Sequence, residues 1–506
     1  MSTLAPVRRW READPGLPIK FGPCSNGEFD PVPRSPVVDE TIRRARADCD
    51  RHARRLGVSR RRFLLSLCGA ATTLLALNGC SEEETRATKR RKPGGHYDIP
   101  STAATDPDAA RAALAGNEFV FDVQGHFLEY SAVPTTPQGR DFWTGFPQQQ
   151  CGESDPRACF SINHFMEEVF LKSDTSMVVL SGLPIAPEGS PMSATLMDEA
   201  RRVAEALCRD PRVLLQAQAL PNVGDLHASL DAMSAAKAQH PIVAWKVFTN
   251  YPDLYDNSGN AWRLDDGDPQ LPKVGNAFIE RAVQLGVRII TAHKGLSTTL
   301  GYTSRYASPV DFGPAARAHP DVSFVAYHSG FEPNVPEGPY DESRADQGVN
   351  RLITSMRKSG VGRNENLYAE LGTTWWSLMA KPEEAAHLLG KLLKFVGEDN
   401  VLWGSDSVFY GTPQDQIQAF RAFQITEQFQ EQFGYPALTD EIKRKILGLN
   451  ALRLHNVNPV TTRCEFTRDE LEQIRQTIPA GYRTFGPRTP SELRAFVARD
   501  RAGAGI

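Results

Sequence analysis

The sequence predicts an α/β fold, namely a (β/α)8 TIM barrel with long βα loops, an N-terminal export leader and a C-terminal helical extension. Two observations predict the barrel: eight short apolar runs alternate with amphipathic stretches, and polar residues able to bind a metal follow several of these runs. Alternating strands and helices imply right-handed crossovers and a parallel sheet. Eight such units in roughly 330 residues lie within the size range of TIM barrels. A doubly wound open sheet is the alternative, but no G-x-G-x-x-G follows the first strand, which counts against a dinucleotide-binding fold.

Composition excludes some classes of function. The chain has 506 residues with 57 basic and 61 acidic side chains, and this near balance argues against a general nucleic-acid binder. None of the eight cysteines forms a CxxC pair, so a thiolate zinc cluster is not expected. Cys151 and Cys159 either pair in an oxidising compartment or are two free loop thiols.

Residues 1–80 are predicted to be a leader with a twin-arginine signal peptide. Thr41–Leu56 is predicted as a basic helix, Ser59–Leu64 matches the twin-arginine export pattern, and the apolar run Phe63–Leu77 follows directly. That run is shorter than the ~20 residues that span a bilayer, and its basic front and small-residue end suit a signal peptide. The alternative is a buried helix preceded by a basic patch.

The end of the leader also resembles a lipobox. In Leu77-Asn78-Gly79-Cys80 the cysteine would be lipidated after cleavage, although Asn78 is atypical there. The expected partners are therefore the twin-arginine translocation machinery and a lipid anchor at Cys80. The expected location is periplasmic, extracellular or membrane-anchored.

Residues 81–116 are predicted as a linker, because Ser81–Gly95 is charged and the following residues are small and polar. Residues 117–460 are predicted to form the barrel. Its expected strands are Phe119–Val123, Ser176–Ser181, Val213–Ala217, Ile242–Phe248, Val287–Thr291, Val322–Tyr327, Leu367–Leu371 and Val401–Gly404. The expected helices include Met197–Cys208, Leu226–Ala238, Asn276–Leu285, Ala345–Lys358 and Pro382–Val396.

Several connections after the strands are long and rich in aromatic residues. They are Leu128–His164, Thr249–Val274, Lys294–Phe312 and Ser329–Glu342. Long loops on the C-terminal face of a barrel usually build the substrate pocket, so Trp262 and Arg263 are predicted to contact substrate. The alternative is that the aromatic side chains pack the loops onto the barrel.

Beyond the barrel strands, Asp440–Leu454 is predicted as a helix. Residues 461–506 are predicted as a C-terminal extension with a helix at Arg468–Gln476, which caps the barrel or makes a subunit contact in a homo-oligomer.

Residues that can bind a metal ion or act as acids and bases lie at the ends of the predicted strands. Side chains alternate faces along a strand, so Asp122, Gln124 and His126 point the same way. The later strand ends offer Lys246, His293, His328, Glu370 and Asp406. A lone histidine is usually structural, but strand-end residues of one barrel converge on one mouth. Imidazole and carboxylate groups suit Zn, Mn or Fe.

With these residues in place, the sequence resembles the amidohydrolase superfamily. It is most similar to the amidohydrolase-related group that includes aminocarboxymuconate-semialdehyde decarboxylase and resorcylate decarboxylases. The resemblance covers Phe119 to Leu454. Its motifs are Asp122–His126 against D-x-H-x-H, then His293, His328, Trp403–Asp406 and the closing helix Lys445–Ala451. Gln124 departs from the pattern, because it stands where the family usually has its first metal-binding histidine.

The resemblance implies a catalytic centre with one divalent metal ion, Zn first and Mn or Fe as alternatives. His126, His293 and Asp406 would hold it, with Gln124 as a weak fourth ligand. Asp406 would accept a proton from water and pass it to the leaving group, and His328 would polarise the substrate carbonyl or stabilise charge in the transition state.

Lys246 has three interpretations at this point. It binds a substrate carboxylate, it is carbamylated and bridges two metals, or it forms a salt bridge with Glu370, which is itself a candidate for substrate binding.

Three functions remain open from the sequence. The first is a metal-dependent hydrolase of an ester, lactone or amide. The second is a non-oxidative decarboxylase of an aromatic or unsaturated carboxylic acid. The third is a metal-free barrel that acts as a binding protein, an alternative that rests on Gln124.

Overall fold

The computed structural model describes residues 14–129, 151, 153, 156–184, 190–208, 210–251, 261–458 and 484–495. The strands in chain order, β1 to β12, are Gly95–Tyr97, Val120–Gly125, Thr175–Ser181, Val213–Gln218, Ile242–Val247, Ile289–His293, Thr298–Thr299, Tyr302–Thr303, Ser323–Tyr327, Leu367–Glu370, Val401–Leu402 and Phe423–Ile425. Eight of them form one parallel sheet in the order β2, β3, β4, β5, β6, β9, β10 and β11.

Backbone hydrogen bonds between β2 and the residues that follow β11 close this sheet. Val123 N donates to Trp403 O over 3.0 Å, Asp406 N donates to Gln124 O over 3.0 Å, and His126 N donates to Ser407 O over 2.6 Å. The predicted (β/α)8 barrel is therefore confirmed, and all eight predicted barrel strands lie within about two residues of their expected positions.

The helices surround the barrel and extend beyond it. The α-helices in chain order, α1 to α16, are Pro36–Arg55, Arg60–Leu64, Leu67–Lys89, Pro107–Leu114, Ile162–Phe165, Ala194–Cys208, Leu226–Gln239, Gly275–Gln284, Phe312–Ala318, Asn350–Ser359, Thr374–Leu378, Pro382–Lys391, Gln414–Ala422, Glu427–Phe433, Asp440–Arg444 and Asn450–Leu454. Three single π-helical turns, Met166–Leu171, Leu392–Val396 and Lys445–Leu449, extend α5 and α12 and join α15 to α16. The helix predicted over Asp440–Leu454 is thus present.

The strands are apolar on both faces because both faces are covered. Inside the barrel, Phe121, Val179, Val325 and Leu402 are buried side by side. Outside it, residues such as Trp245 pack beneath the helices. Lys246, His293 and Glu370 lie at or next to the C-terminal ends of their strands.

The N-terminal helices pack onto the barrel domain. Ser35, Ser59 and Ser66 cap α1, α2 and α3 with their side-chain oxygens. Buried side chains such as Phe63 and Leu77 belong to the same hydrophobic cluster as the barrel helices. In the described residues, therefore, the folded part of the chain begins well before Asn117.

The predicted linker differs from the structure. Ser81–Lys89 form the last turns of α3, where Arg86 pairs with Glu82 one turn earlier. Asn78 fixes this helix to β1, since its side chain accepts from Tyr97 N over 2.9 Å and donates to Tyr97 O over 2.7 Å. Cys80, the predicted lipidation site, is buried in the middle of α3.

Two further predictions concern a pair of cysteines and the C-terminal extension. Cys151 and Cys159 form a disulfide with a Cα–Cα distance of 5.7 Å, which decides between the two alternatives for this pair. The predicted helix Arg468–Gln476 lies outside the described residues. No helix within the described ranges combines the length and apolarity needed to cross a bilayer.

Candidate active site

An extended N-terminal segment crosses the C-terminal mouth of the barrel. We call Lys20–Asp30 the N-terminal strap. At one end Lys20 Nζ donates to Tyr410 O and Thr412 O, both over 2.6 Å. At the other end the carboxylate of Asp30 accepts from Leu300 N over 2.9 Å. The strap therefore connects the loop after β11 with the hairpin after β6, and its middle residues face the pocket.

A carboxylate from the strap meets two of the predicted histidines. Glu28 Oε1 lies 3.4 Å from His293 Nδ1, and Glu28 Oε2 lies 3.7 Å from His328 Nε2. The ligand atoms of these three side chains all lie within 4.8 Å of one another. One carboxylate and two imidazoles at this spacing form a donor set typical of zinc and similar divalent ions.

Asp406 lies beside this trio and is held from both sides. Its Oδ1 lies 3.2 Å from His126 Nε2. Its Oδ2 accepts from Thr373 Oγ1 over 2.5 Å and from Asn26 Nδ2 over 2.8 Å. Asn26 also donates to Glu28 Oε2 over 2.6 Å, so one strap amide links both carboxylates.

Several buried polar atoms at the mouth have no hydrogen-bond partner among the described residues. They are both ring nitrogens of His293, Nδ1 of His126, Nε2 of His328 and Oε1 of Gln124. An unsatisfied buried polar group costs about 1–3 kcal/mol, and native structures rarely leave several together. Of these atoms, the nitrogens of His293 and His328 are close enough to bind one divalent ion together with Glu28.

The hydrogen bonds of His328 fix which of its nitrogens is available. Its Nδ1 lies 2.8 Å from Gly372 O, and because a carbonyl only accepts, Nδ1 must carry the proton. Burial lowers the pKa of His328 to about 4, so the ring is neutral near pH 7. Nε2 then presents a lone pair to the pocket, which suits a metal ligand or a base. The predicted role in polarising a carbonyl would need a proton on Nε2.

Burial shifts the other ionisable groups of the mouth. It raises the pKa of Glu28 to about 8, with the charge of Asp406 acting in the same direction and that of Lys246 against it. It raises the pKa of Glu370 to about 8 and lowers the pKa of His293 well below its usual range. Asp406 is the exception. Burial alone would raise its pKa, but the hydrogen bond and charge of His126 lower it to about 2.

The backbone at the mouth is strained in four places. His328, Ser329, Thr373 and Asp406 have φ values between 55° and 63°, in the left-handed region that side chains other than glycine rarely adopt. Such residues cluster at functional sites, where the surrounding structure holds them in place. The strain here lies at the ends of β9, β10 and β11, and it directs His328 and Asp406 into the pocket.

The predicted Lys246 and Glu370 both lie at this mouth. Lys246 is buried with its ammonium 3.7 Å above the Tyr327 ring, and no carboxylate of the described chain lies within ion-pair distance of it. Burial lowers the pKa of Lys246 to about 8. Glu370 instead accepts from His328 N over 3.0 Å and from Gly372 N over 2.5 Å. The salt bridge with Glu370, one of the three interpretations of Lys246, is absent, and Glu370 positions the backbone that carries His328.

Trp262 and Arg263 have packing roles in the structure, whereas Gln124 lies at the mouth. Gln124 Nε2 lies 3.4 Å from His126 Nε2. Trp262 is fully buried against Phe278 and donates to Phe248 O over 3.2 Å. Arg263 lies over the ring of Tyr306 and donates to Ser308 O over 3.3 Å. These contacts of Trp262 and Arg263 hold the loop after β5 in place. Substrate binding by the two residues stays a prediction.

Asp122 also has a structural role, although it shares a strand with Gln124 and His126. It accepts from Gln124 N over 3.0 Å and from Ser405 N over 2.9 Å, and it bonds the Ser405 hydroxyl. The carboxylate therefore fixes the seam where the barrel closes, directly below the mouth.

Sequence reasoning missed Asn26 and Glu28. Both lie in a segment without regular secondary structure that was assigned to the leader, and nothing in their local sequence distinguishes them. Thr373 was also missed, although it follows a predicted strand by two residues.

Comparisons with known proteins place this geometry in context. A family model described as amidohydrolase matches residues 191–457, which is more than half of the chain and includes His293, His328 and Asp406. No curated protein matches the chain.

Solved structures similar to the chain include three enzymes. The first is 2,6-dihydroxybenzoate decarboxylase from Rhizobium, with 14% sequence identity, coverage of 67% of this chain and 99% of that chain, and a TM-score of 0.37. The second is 5-carboxyvanillate decarboxylase from Sphingomonas paucimobilis, with 12% identity, coverage of 68% and 100%, and a TM-score of 0.38. The third is 4-oxalomesaconate hydratase from Rhodopseudomonas palustris, with 13% identity, coverage of 67% and 96%, and a TM-score of 0.38. These TM-scores and identities are too low to transfer an activity.

Proposed function

The chain belongs to the amidohydrolase family, and on that premise we propose that it is a metal-dependent hydrolase acting on an ester, lactone or amide. The observation that carries the proposal is the set of unpartnered histidine nitrogens beside Asp406 at the mouth of the barrel. A hydrolase needs a site for a metal ion and a carboxylate base next to it. The mouth offers both within one buried cluster.

Each residue has a defined task in this proposal. When bound, a divalent ion lowers the pKa of water towards ~7 and polarises a carbonyl oxygen. His293 and His328, whose ligand atoms lie within 4.8 Å of each other, offer nitrogen lone pairs for such an ion. His126 lies against Asp406 and helps to keep that carboxylate ionised. Asp406 is ionised and held by Thr373 and Asn26, so its Oδ1 can accept a proton from water and return it to the leaving group.

A second candidate is a non-oxidative decarboxylase, which Lys246 favours. Its buried ammonium faces aromatic rings and has no carboxylate at ion-pair distance in the described chain. Such a cation suits the carboxylate of an acidic substrate. Decarboxylation of such a substrate would need no attack by water.

Metal content and product analysis together test the proposal. We expect the purified protein to contain about one divalent ion per chain and to hydrolyse at least one member of a panel of lactones, esters and amides, releasing one proton per turnover from a lactone or ester and one amine from an amide. Elemental analysis measures the metal, pH-stat titration measures the protons and an amine assay measures the amine, and His227→Ala on the exposed face of α7 is the control. Release of CO2 from aromatic acids without hydrolysis would favour the decarboxylase, and a metal-free protein that binds but does not convert ligands would favour the binding protein.

Export by the twin-arginine route is a separate proposal. We expect Arg60→Lys with Arg61→Lys to leave the protein in the cytoplasm, because the translocation signal requires the arginine pair. Cell fractionation measures the outcome. In the folded chain Arg60 Nε donates to Asp50 over 2.6 Å, so the control is Asp50→Asn, which removes the negative charge of this partner and keeps both arginines. Unchanged export of the double variant would remove the twin-arginine interpretation.

A further inference from the structure

We propose that Glu28, delivered by the N-terminal strap, is a metal-binding residue of this site, and that the working protein therefore retains its N-terminal segment. The inference rests on the proposed metal site and adds to it a ligand that comes from outside the barrel. The geometry that carries it is the approach of one carboxylate to two histidines, His293 and His328.

The two oxygens of Glu28 divide between the two histidines. Oε1 faces His293 Nδ1 and Oε2 faces His328 Nε2, at 3.4 and 3.7 Å. These separations are too long for good hydrogen bonds. They leave room for an ion at about 2.0–2.2 Å from each donor atom after small movements. Both nitrogens also lack a hydrogen-bond partner among the described residues.

Hydrogen bonds of the strap hold Glu28 in this position. Asn26 Nδ2 donates to Glu28 and to Asp406, which fixes the carboxylate relative to the barrel. The hydroxyl of Thr299 donates to Glu28 O, and Ser25 N donates to Pro487 O over 2.8 Å. With Lys20 and Asp30 anchored at the two ends, the strap is bound to three separate parts of the chain. A segment held at so many points is preorganised for a ligand.

Retention of the N-terminal segment follows from the position of Glu28 in the chain. The predicted signal, Ser59–Leu77, lies downstream of the strap. Cleavage before Cys80 would remove Asn26 and Glu28 from the site and would cut α3 where Asn78 is bonded to Tyr97. If the chain is exported, its signal must therefore act without removal of the strap.

Metal affinity of the full-length protein tests the ligand. We expect Glu28→Gln to lower the affinity for Zn²⁺ at least tenfold, in line with the 10–100-fold losses seen when metal sites lose supporting groups, and to change the visible spectrum of the Co²⁺-loaded protein. Glu28→Asp keeps the carboxylate on a shorter side chain, so its Zn²⁺ affinity should lie between those of the wild type and Glu28→Gln. Glu40→Gln, at a partly exposed carboxylate of α1 that pairs with Arg43, is the matched control. Thermal unfolding of the metal-free variants shows that the fold is intact.

The outcomes are distinguishable. Unchanged affinity and an unchanged Co²⁺ spectrum in Glu28→Gln would overturn the assignment of Glu28 while leaving the proposed function in place. A wild-type protein without metal affinity would overturn both. Intact mass spectrometry of the protein isolated from its producing cells should give a chain that includes Lys20–Asp30, and a metal-loaded mature chain that begins at Cys80 would overturn the proposal.

Discussion

Replacing His293 with alanine is expected to lower metal affinity by a factor on the order of 10² or more and to abolish turnover, while the barrel stays folded. The ring offers two nitrogens without hydrogen-bond partners in the described chain, so its removal takes away a ligand and breaks no hydrogen bond. His293 ends β6, where it stacks on Phe248 and lies next to His328 rather than within the barrel core. Elemental analysis gives the metal content, and circular dichroism reports the fold.

His227→Ala is the control for this experiment, because that histidine is exposed on α7. Metal content equal to the wild type in the His293 variant would show that His293 is not a ligand. Loss of the fold would instead show that the packing of the His293 ring on Phe248 is needed for stability of the fold.

The barrel and most of its mouth were predictable because both depend on local sequence. Parallel strands that are buried on both faces form continuous apolar runs, and their ends are marked where polar residues begin, as at His293 and Asp406. The convergence of those ends follows from the fold alone. His126, His293, His328, Lys246 and Asp406 are indeed gathered at one mouth.

The strap could not be predicted because its contacts are long-range. Glu28 meets His293 across 265 residues of sequence, and no periodicity or motif marks such a contact. The helical end of α3 was missed for a different reason. Ser81–Lys89 is rich in charged residues, which resemble a linker, yet Glu82 and Arg86 are spaced as a helical ion pair.

The orientation of individual side chains could also not be predicted from the sequence. His328 lies in a short 3-10 turn with positive φ, and its Nδ1 is occupied by Gly372 O. Sequence reasoning therefore identified the residue and left open which nitrogen faces the substrate. Similarly, Trp262 was assigned to the pocket because it lies in a long loop, whereas the size of its apolar ring favours the core beside Phe278.

Asp406→Asn is expected to reduce kcat by a factor on the order of 10² or more, the lower end of the usual contribution of a positioned acid or base. Asp406 is ionised at neutral pH although it is buried, since the hydrogen bond and charge of the adjacent His126 lower its pKa to about 2. A depressed pKa means that the carboxylate is ionised at every pH above about 2, so neutral conditions always provide the base. The asparagine variant cannot accept the proton at any pH.

The hydrogen bonds of Asp406 also predict how the asparagine side chain is oriented. Asn26 and Thr373 both donate to Oδ2, so the amide oxygen must occupy that position and the amide nitrogen must turn towards His126. The variant therefore loses an oxygen ligand as well as the base, and kcat has to be measured at saturating Zn²⁺ to separate the two effects. Asp321→Asn, an exposed carboxylate paired with Arg288, is the control and should leave kcat unchanged. Near-normal hydrolysis by the metal-saturated Asp406→Asn variant would show that another group carries the proton, and Glu28, whose carboxylate shares the Asn26 amide with Asp406, would be the next to test.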